Sequence, residues 1–237
     1  MELGQHISQQ YNQELETIRN KVLSMGGLVE SQTENAIRAL LERDHELAEK
    51  VATSDHKVNK MEVEIDDACA QVIAKRQPAA GDLRLVLTVV KLISDLERIG
   101  DEAEKIARYA MKLTTRDVAT GMHAELSSLS KHVKSVLHRS LDAFARLDLQ
   151  AAIEVVAADA QIDEEFNRIS RLLVTHMMEE PRNIKSMLRV TWCARALERI
   201  GDHAQNICEY VIYLVKGTDV RHTSLDAVRQ EYLSEEG

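Results

Sequence analysis

Leu96-Glu97-Arg98-Ile99-Gly100-Asp101 recurs letter for letter as Leu197-Glu198-Arg199-Ile200-Gly201-Asp202. Working outward from the two copies, Pro78 lies ahead of the first and Pro181 ahead of the second, and Val51 to Asp55 is echoed by Val155 to Asp159. The offsets, 101 to 104 residues, stay nearly constant across these three landmarks. Such spacing marks the duplication of a whole supersecondary unit, so the two halves are expected to share one topology.

Around the first copy, Leu85, Val89, Leu92, Leu96, Ile99, Ala103, Ile106 and Ala110 are spaced alternately by four and three. That rhythm is the apolar seam of a helix packed in a bundle. Val190, Cys193, Leu197, Ile200, Ala204, Ile207, Val211 and Leu214 repeat it around the second copy, which makes Cys193 a seam residue. Upstream, Val51, Val58, Met61, Ile65, Ala68 and Val72 form another seam. Pro78 with Gly81, and later Pro181, end one helix and begin the next, because proline cannot continue a helix from its interior.

The spacing predicts six long helices, near 5–43, 45–76, 82–113, 122–146, 149–178 and 183–216. The expected fold is all-α: two tandem antiparallel three-helix bundles, 1–116 and 117–216, related by internal duplication and followed by a polar tail, 217–237. Gly26-Gly27 interrupts the first helix and predicts a bend or a close contact there. Gly100 and Gly201, inside the repeated motif, are expected to serve close helix approach.

The bulk composition agrees. Aromatic residues are 3% of the chain against an apolar fraction of 44%, so Leu, Ile, Val, Ala and Met must fill the interior. Two prolines and nine glycines are too few turn formers for an all-β fold. A net charge of −9 with interspersed bases disfavours a nucleic-acid groove. No run of about 18 apolar residues or basic-then-apolar leader is present, so a cytoplasmic protein without membrane insertion is expected. Cys69, Cys193 and Cys208 are scattered and odd in number, which fits buried thiols better than disulfides or zinc ligands.

Glu97 and Asp101 are four residues apart and share one helical face, as do Glu198 and Asp202. Like charges at this spacing repel by a few tenths of a kcal/mol, and the same repulsion in both halves invites a cation. The acids point off the apolar seam, so they are expected to line an outer groove. Two antiparallel helices joined near residue 79 place Glu97 opposite Glu62 and Asp101 near Asp55 to Asn59. In the second half Glu198 and Asp202 face Asp159 and Asp163. The donors are all oxygens, which favours Mg²⁺, Mn²⁺, Ca²⁺ or iron over zinc. The competing expectation is a solvated face on which these acids pair with Arg98, Arg199 or nearby lysines. His203, beside Asp202, is expected to be an ordinary surface or capping residue. No glycine-rich phosphate loop, nucleophile elbow or His-Glu-x-x-His motif occurs, so no enzyme is expected.

Three stretches give the chain a resemblance to a known family. The repeated Leu-Glu-Arg-Ile-Gly-Asp, the run Ala74-Lys75-Arg76-Gln77-Pro78 leading to Asp82-Leu83-Arg84, and Cys208-Glu209-Tyr210 through Lys216-Gly217 resemble the PhoU family of phosphate-uptake regulators. The resemblance covers essentially the whole chain. It implies metal ions or clusters (Mg, Mn, Fe or Zn) held by Glu97, Asp101, Glu198 and Asp202. It also implies acids on the preceding helix, here Asp55, Asp159 and Asp163, with Asn59 where an acid is common. It further implies a homodimeric cytoplasmic adapter that represses the phosphate regulon. Its partners would be the sensor histidine kinase PhoR and the ATPase PstB of the phosphate ABC transporter. A metal-storage bundle is the alternative, and a metal-dependent enzyme acting on phosphate compounds a third class.

Overall fold

The computed structural model describes residues 9–113 and 120–220, apart from the side chains of 120, 121 and 159. Among the described residues seven α-helices follow one another: α1 (Gln9–Glu42), α2 (His45–Ala52), α3 (His56–Arg76), α4 (Ala80–Ala110), α5 (Thr120–Arg146), α6 (Leu149–Glu179) and α7 (Ile184–Lys216). A single 3₁₀ turn, Pro181–Asn183, sits between α6 and α7. No strand occurs among the described residues.

The halves share one plan. The turn after α1 carries Arg43 at φ 61°, and the turn after α5 carries Leu147 at φ 53°. Each is followed by an aspartate N-cap: Asp44 accepts from Leu47 N at 3.0 Å, and Asp148 accepts from Ala151 N at 3.0 Å. Both caps satisfy an otherwise orphaned amide at the start of the next helix.

The expected helix over 45–76 is two helices. Thr53 Oγ1 donates to Glu49 O at 2.9 Å and Ser54 Oγ donates to Val51 O at 2.9 Å. These hydroxyls compete with backbone N–H groups for helical carbonyls and end α2. In the second half Ala157 and Ala158 stand at the equivalent places, and α6 runs unbroken for 31 residues. Alanine has the best helix propensity and no competing group.

Gly26-Gly27 does not break α1. A Cβ on Gly26 would lie 3.0 Å from Leu141 Cδ2 on α5, whereas one on Gly27 would meet nothing within 4 Å. The close contact therefore belongs to Gly26 alone. At the far end Gly217 closes α7 in the left-handed region at φ 81°, and a Cβ there would lie 2.6 Å from Arg84 Nη1.

All seven helices contribute to one contiguous apolar core, so the halves are packed together and not merely tethered. The boundary expected between residues 116 and 117 falls outside the described residues. So does most of the tail, of which 217–220 are described, with Val220 buried. α4 and α7 cross the junction antiparallel, as their contacts show. Asp95 meets His203 and Asn206, Glu102 meets Arg199, and Lys112 O accepts from Arg189. α1 and α5 do the same, with Glu30 against His138 and Glu34 against Lys134. His203 is thus a half-buried cross-link between the halves, contrary to its expectation as a surface or capping residue, because antiparallel packing brings Asp95 onto it. No helix among the described residues is long and apolar enough to cross a membrane.

Candidate metal centre

Two groups of carboxylates form at equivalent places, one per half. Asp55, at the start of α3, meets Asp101 and Glu104 of α4, and Asp163 of α6 meets Glu198 and Asp202 of α7. In each group every residue offers one oxygen, and these oxygens lie within 4.8 Å of one another. Helical spacing explains the α4 and α7 pairs. Asp101 and Glu104 are three apart and Glu198 and Asp202 four apart, so each pair occupies one face. The antiparallel turn then brings an acid from the preceding helix across.

The two groups are not copies of each other. Glu198 is the counterpart of Glu97, Glu104 is the counterpart of Gln205, and Asp163 is the counterpart of Asn59. Only Asp101 and Asp202 are counterparts, and each half fills the other two places with acids from different positions. Asp55, Asp101, Asp163, Glu198 and Asp202 come together as the spacing predicted, and Asp159 has no described side chain. Glu97 and Glu62 stand beside the first group without joining it. Arg98 lies 3.5 Å from Glu97 and 3.6 Å from Asp101, so the pairing with Arg98 weighed from the sequence is present at both acids, although Glu97 is largely buried. Glu104 was missed because it lies outside the repeated hexapeptide. Its position three residues after Asp101 was the available signal. Glu198, at 6% exposure, lies deeper than an outer groove and accepts from Arg195.

The electrostatics agree with the geometry. Burial pushes the Asp55 carboxyl above the usual carboxylate range, with Glu104 and Asp101 adding to the rise and the bond from Asn59 opposing it. Glu97 is raised by burial and then by Asp101, with Glu62 and Asp55 contributing and Arg98 opposing. Burial also raises Glu62, against Arg98. Asp202 is raised by burial and then by Asp163, against Arg195, His203 and Arg199. Desolvated acids crowded by neighbouring acids carry a cost that a bound cation would relieve.

The donor set fits a metal. Neither group contains His or Cys, so every donor is a hard oxygen. Asp55 Oδ1 in the first group and Oδ1 of the neighbouring Asn59 are buried without a hydrogen-bond partner, although Asn59 Nδ2 donates to Asp55 Oδ2 at 2.9 Å. Buried acceptors left without donors are rare, and a cation is one way to satisfy them. A Cβ on Gly100 would lie 3.6 Å from Asp55 Oδ1, an ordinary contact, so glycine keeps this approach open without being sterically obligatory.

The comparisons place the chain among known proteins. The PhoU domain matches twice, over residues 22–110 and 126–211, one match per half. The phosphate-specific transport system accessory protein PhoU of Serratia marcescens is 52% identical over 230 residues, covering 97% of this chain and 94% of that protein. The accessory protein of the same name from Escherichia coli K12 is 48% identical over 226 residues, covering 95% and 93%. Among solved structures, PhoU from Pseudomonas aeruginosa superposes with a TM-score of 0.85 at 47% identity, covering 88% of this chain and all of that one. The PhoU phosphate transport system regulatory protein of Streptococcus pneumoniae superposes at 0.82 with 30% identity, covering 89% and 99%. With two matched domains, near-complete coverage and the same all-helical architecture, the chain belongs to the PhoU family.

Proposed function

We propose that the chain is an accessory regulator of phosphate uptake that represses the phosphate regulon. It would act as a cytoplasmic, homodimeric adapter between the ATPase PstB of the phosphate ABC transporter and the sensor histidine kinase PhoR. The observation that carries this is the near-full-length similarity to proteins named as phosphate-specific transport accessory proteins. Those relatives are named as accessory proteins, not as enzymes.

In this reading Asp55, Asp101 and Glu104 hold one divalent cation, and Asp163, Glu198 and Asp202 hold another. A bound ion would neutralise the crowded carboxylates and tie α3 to α4 and α6 to α7. The hydrogen-bonded junction between α4 and α7 connects the two halves, which gives a partner engaged on one half a route to the other. A storage role would call for many ions per chain, against two groups of three acids among the described residues.

The test is alkaline phosphatase reporter activity in phosphate-rich medium, in the host bacterium and in a strain lacking this gene. High activity in the deletion strain, reversed by the gene in trans, is the expected result. Unchanged low activity would remove the regulatory role.

A further inference from the structure

Gln32, on α1, is 6% exposed, and its amide is fixed: Nε2 donates to Ser54 Oγ at 3.1 Å and to Ser54 O at 3.3 Å. That orientation leaves Oε1 buried without a hydrogen-bond partner. A Cβ on Gly100 would lie 3.6 Å from Gln32 Oε1 and 3.6 Å from Asp55 Oδ1, so the two oxygens converge over the same point of α4. Asn59 Oδ1 is a third buried oxygen without a donor, on the residue that bonds Asp55. Three orphaned acceptors, one from α1 and two from the start of α3, thus lie in or beside the group formed by Asp55, Asp101 and Glu104, with no hydrogen bond donated to them.

We infer that Gln32 and Asn59 supply neutral amide oxygens to the first centre, making it a three-helix site for a hard divalent cation such as Mn²⁺ or Mg²⁺. The inference rests on the metal reading above and extends it to residues outside the acidic motif. Cations of this class take about six oxygen ligands and accept amide carbonyls alongside carboxylates, whereas zinc favours four ligands rich in nitrogen or sulfur. The second centre lacks the α1-type donor, because Val136 stands at the place equivalent to Gln32. The break between α2 and α3 is part of the arrangement, since Ser54 in that break is what turns the Gln32 amide.

The test uses the full chain carrying Glu198→Gln and Asp202→Asn, which removes acids only from the second centre. After chelation it is titrated with Mn²⁺, and free Mn²⁺ is followed by electron paramagnetic resonance. One Mn²⁺ per chain is expected in this parent. Adding Gln32→Leu should weaken its binding at least about tenfold, the scale set by loss of supporting groups at metal sites. Gln32→Glu should tighten it, and decides the matter if the leucine variant fails to fold by circular dichroism. Unchanged affinity in the leucine variant overturns the inference and leaves ordinary water on these oxygens. So does equal or weaker binding by the glutamate variant, or a parent without Mn²⁺ when the wild-type chain binds it. A wild-type chain that binds no Mn²⁺ overturns the metal reading itself.

Discussion

His203 Nδ1 lies 2.7 Å from Asp95 Oδ1, and the contact joins α4 of the first half to α7 of the second. Asn206 Nδ2 donates to the same oxygen at 3.0 Å, and Tyr210 OH donates to Asp95 Oδ2 at 2.7 Å. Asp95 is only 8% exposed, so one buried carboxylate gathers three partners from one helix. Ala196 stands at the equivalent place in the second half, and the network therefore occurs once. Beside it Glu102, also buried, lies 3.1 Å from Arg199 and 3.0 Å from Lys105.

Asp95→Ala is expected to destabilise the protein by about 3 kcal/mol, because it strips the shared acceptor from groups that folding has already desolvated. Tyr210→Phe, which removes one donor, should cost about 1 kcal/mol. Urea unfolding at neutral pH measures both. Equal and negligible losses would mean that apolar packing alone holds the junction.

The two adjacent glycines of α1 should respond differently to alanine. Gly27→Ala meets nothing and should stabilise by about 1 kcal/mol, raising the melting temperature by about 3 °C for a chain of this size. Gly26→Ala gains the same helix propensity but must displace Leu141, so its gain should be smaller. Thermal melts of the pair separate local propensity from contact across α1 and α5.

In metal-free protein the raised carboxyl of Asp202 is a liability whose sign can be checked. An acid whose folded pKa lies above its unfolded value binds more protons when folded, so stability falls as pH rises from near 3.8 through the folded value. Asp202→Asn removes that loss. With chelator present the variant should be more stable than wild type at neutral pH, and the difference should close in acid, where Asp202 is protonated. Saturating Mn²⁺ should reverse the order at neutral pH, because only the wild type keeps the full ligand set. Melting curves across the pH range read all three outcomes.

Cys69, Cys193 and Cys208 are free and buried. Burial pushes the thiols of Cys69 and Cys193 up to about 11 and about 12, and raises that of Cys208 as well. The thiolate is the reactive form, so Ellman's reagent should label essentially none of them in the native protein and all three after denaturation. Fast labelling of native protein would show a helix that opens readily.

Much of this protein was legible in the chain alone. The seam from Leu85 to Ala110, and its copy from Val190 to Leu214, fixed α4 and α7, because a period near 3.6 is a local property that needs no knowledge of neighbours. The repeated hexapeptide announced the duplication, and its four acids pointed to where the carboxylate groups would form. Even the break between α2 and α3 was written locally, in Thr53-Ser54 against Ala157-Ala158, although the seam pattern runs across it unmarked.

Tertiary structure decided what depends on which helices meet. It drew Glu104 into the first group and left Glu97 outside it, a choice of about two helical turns along one face that the axial register of α4 against α3 makes. It placed Gln32, far away in sequence and outside every motif, over Gly100 beside Asp55. And it turned His203 toward Asp95, since antiparallel packing of α4 and α7 determines which polar groups share a buried space. A sequence encodes each helix face through nearest-neighbour spacing, whereas a site shared by three helices exists only once their relative rotations are set by the common core.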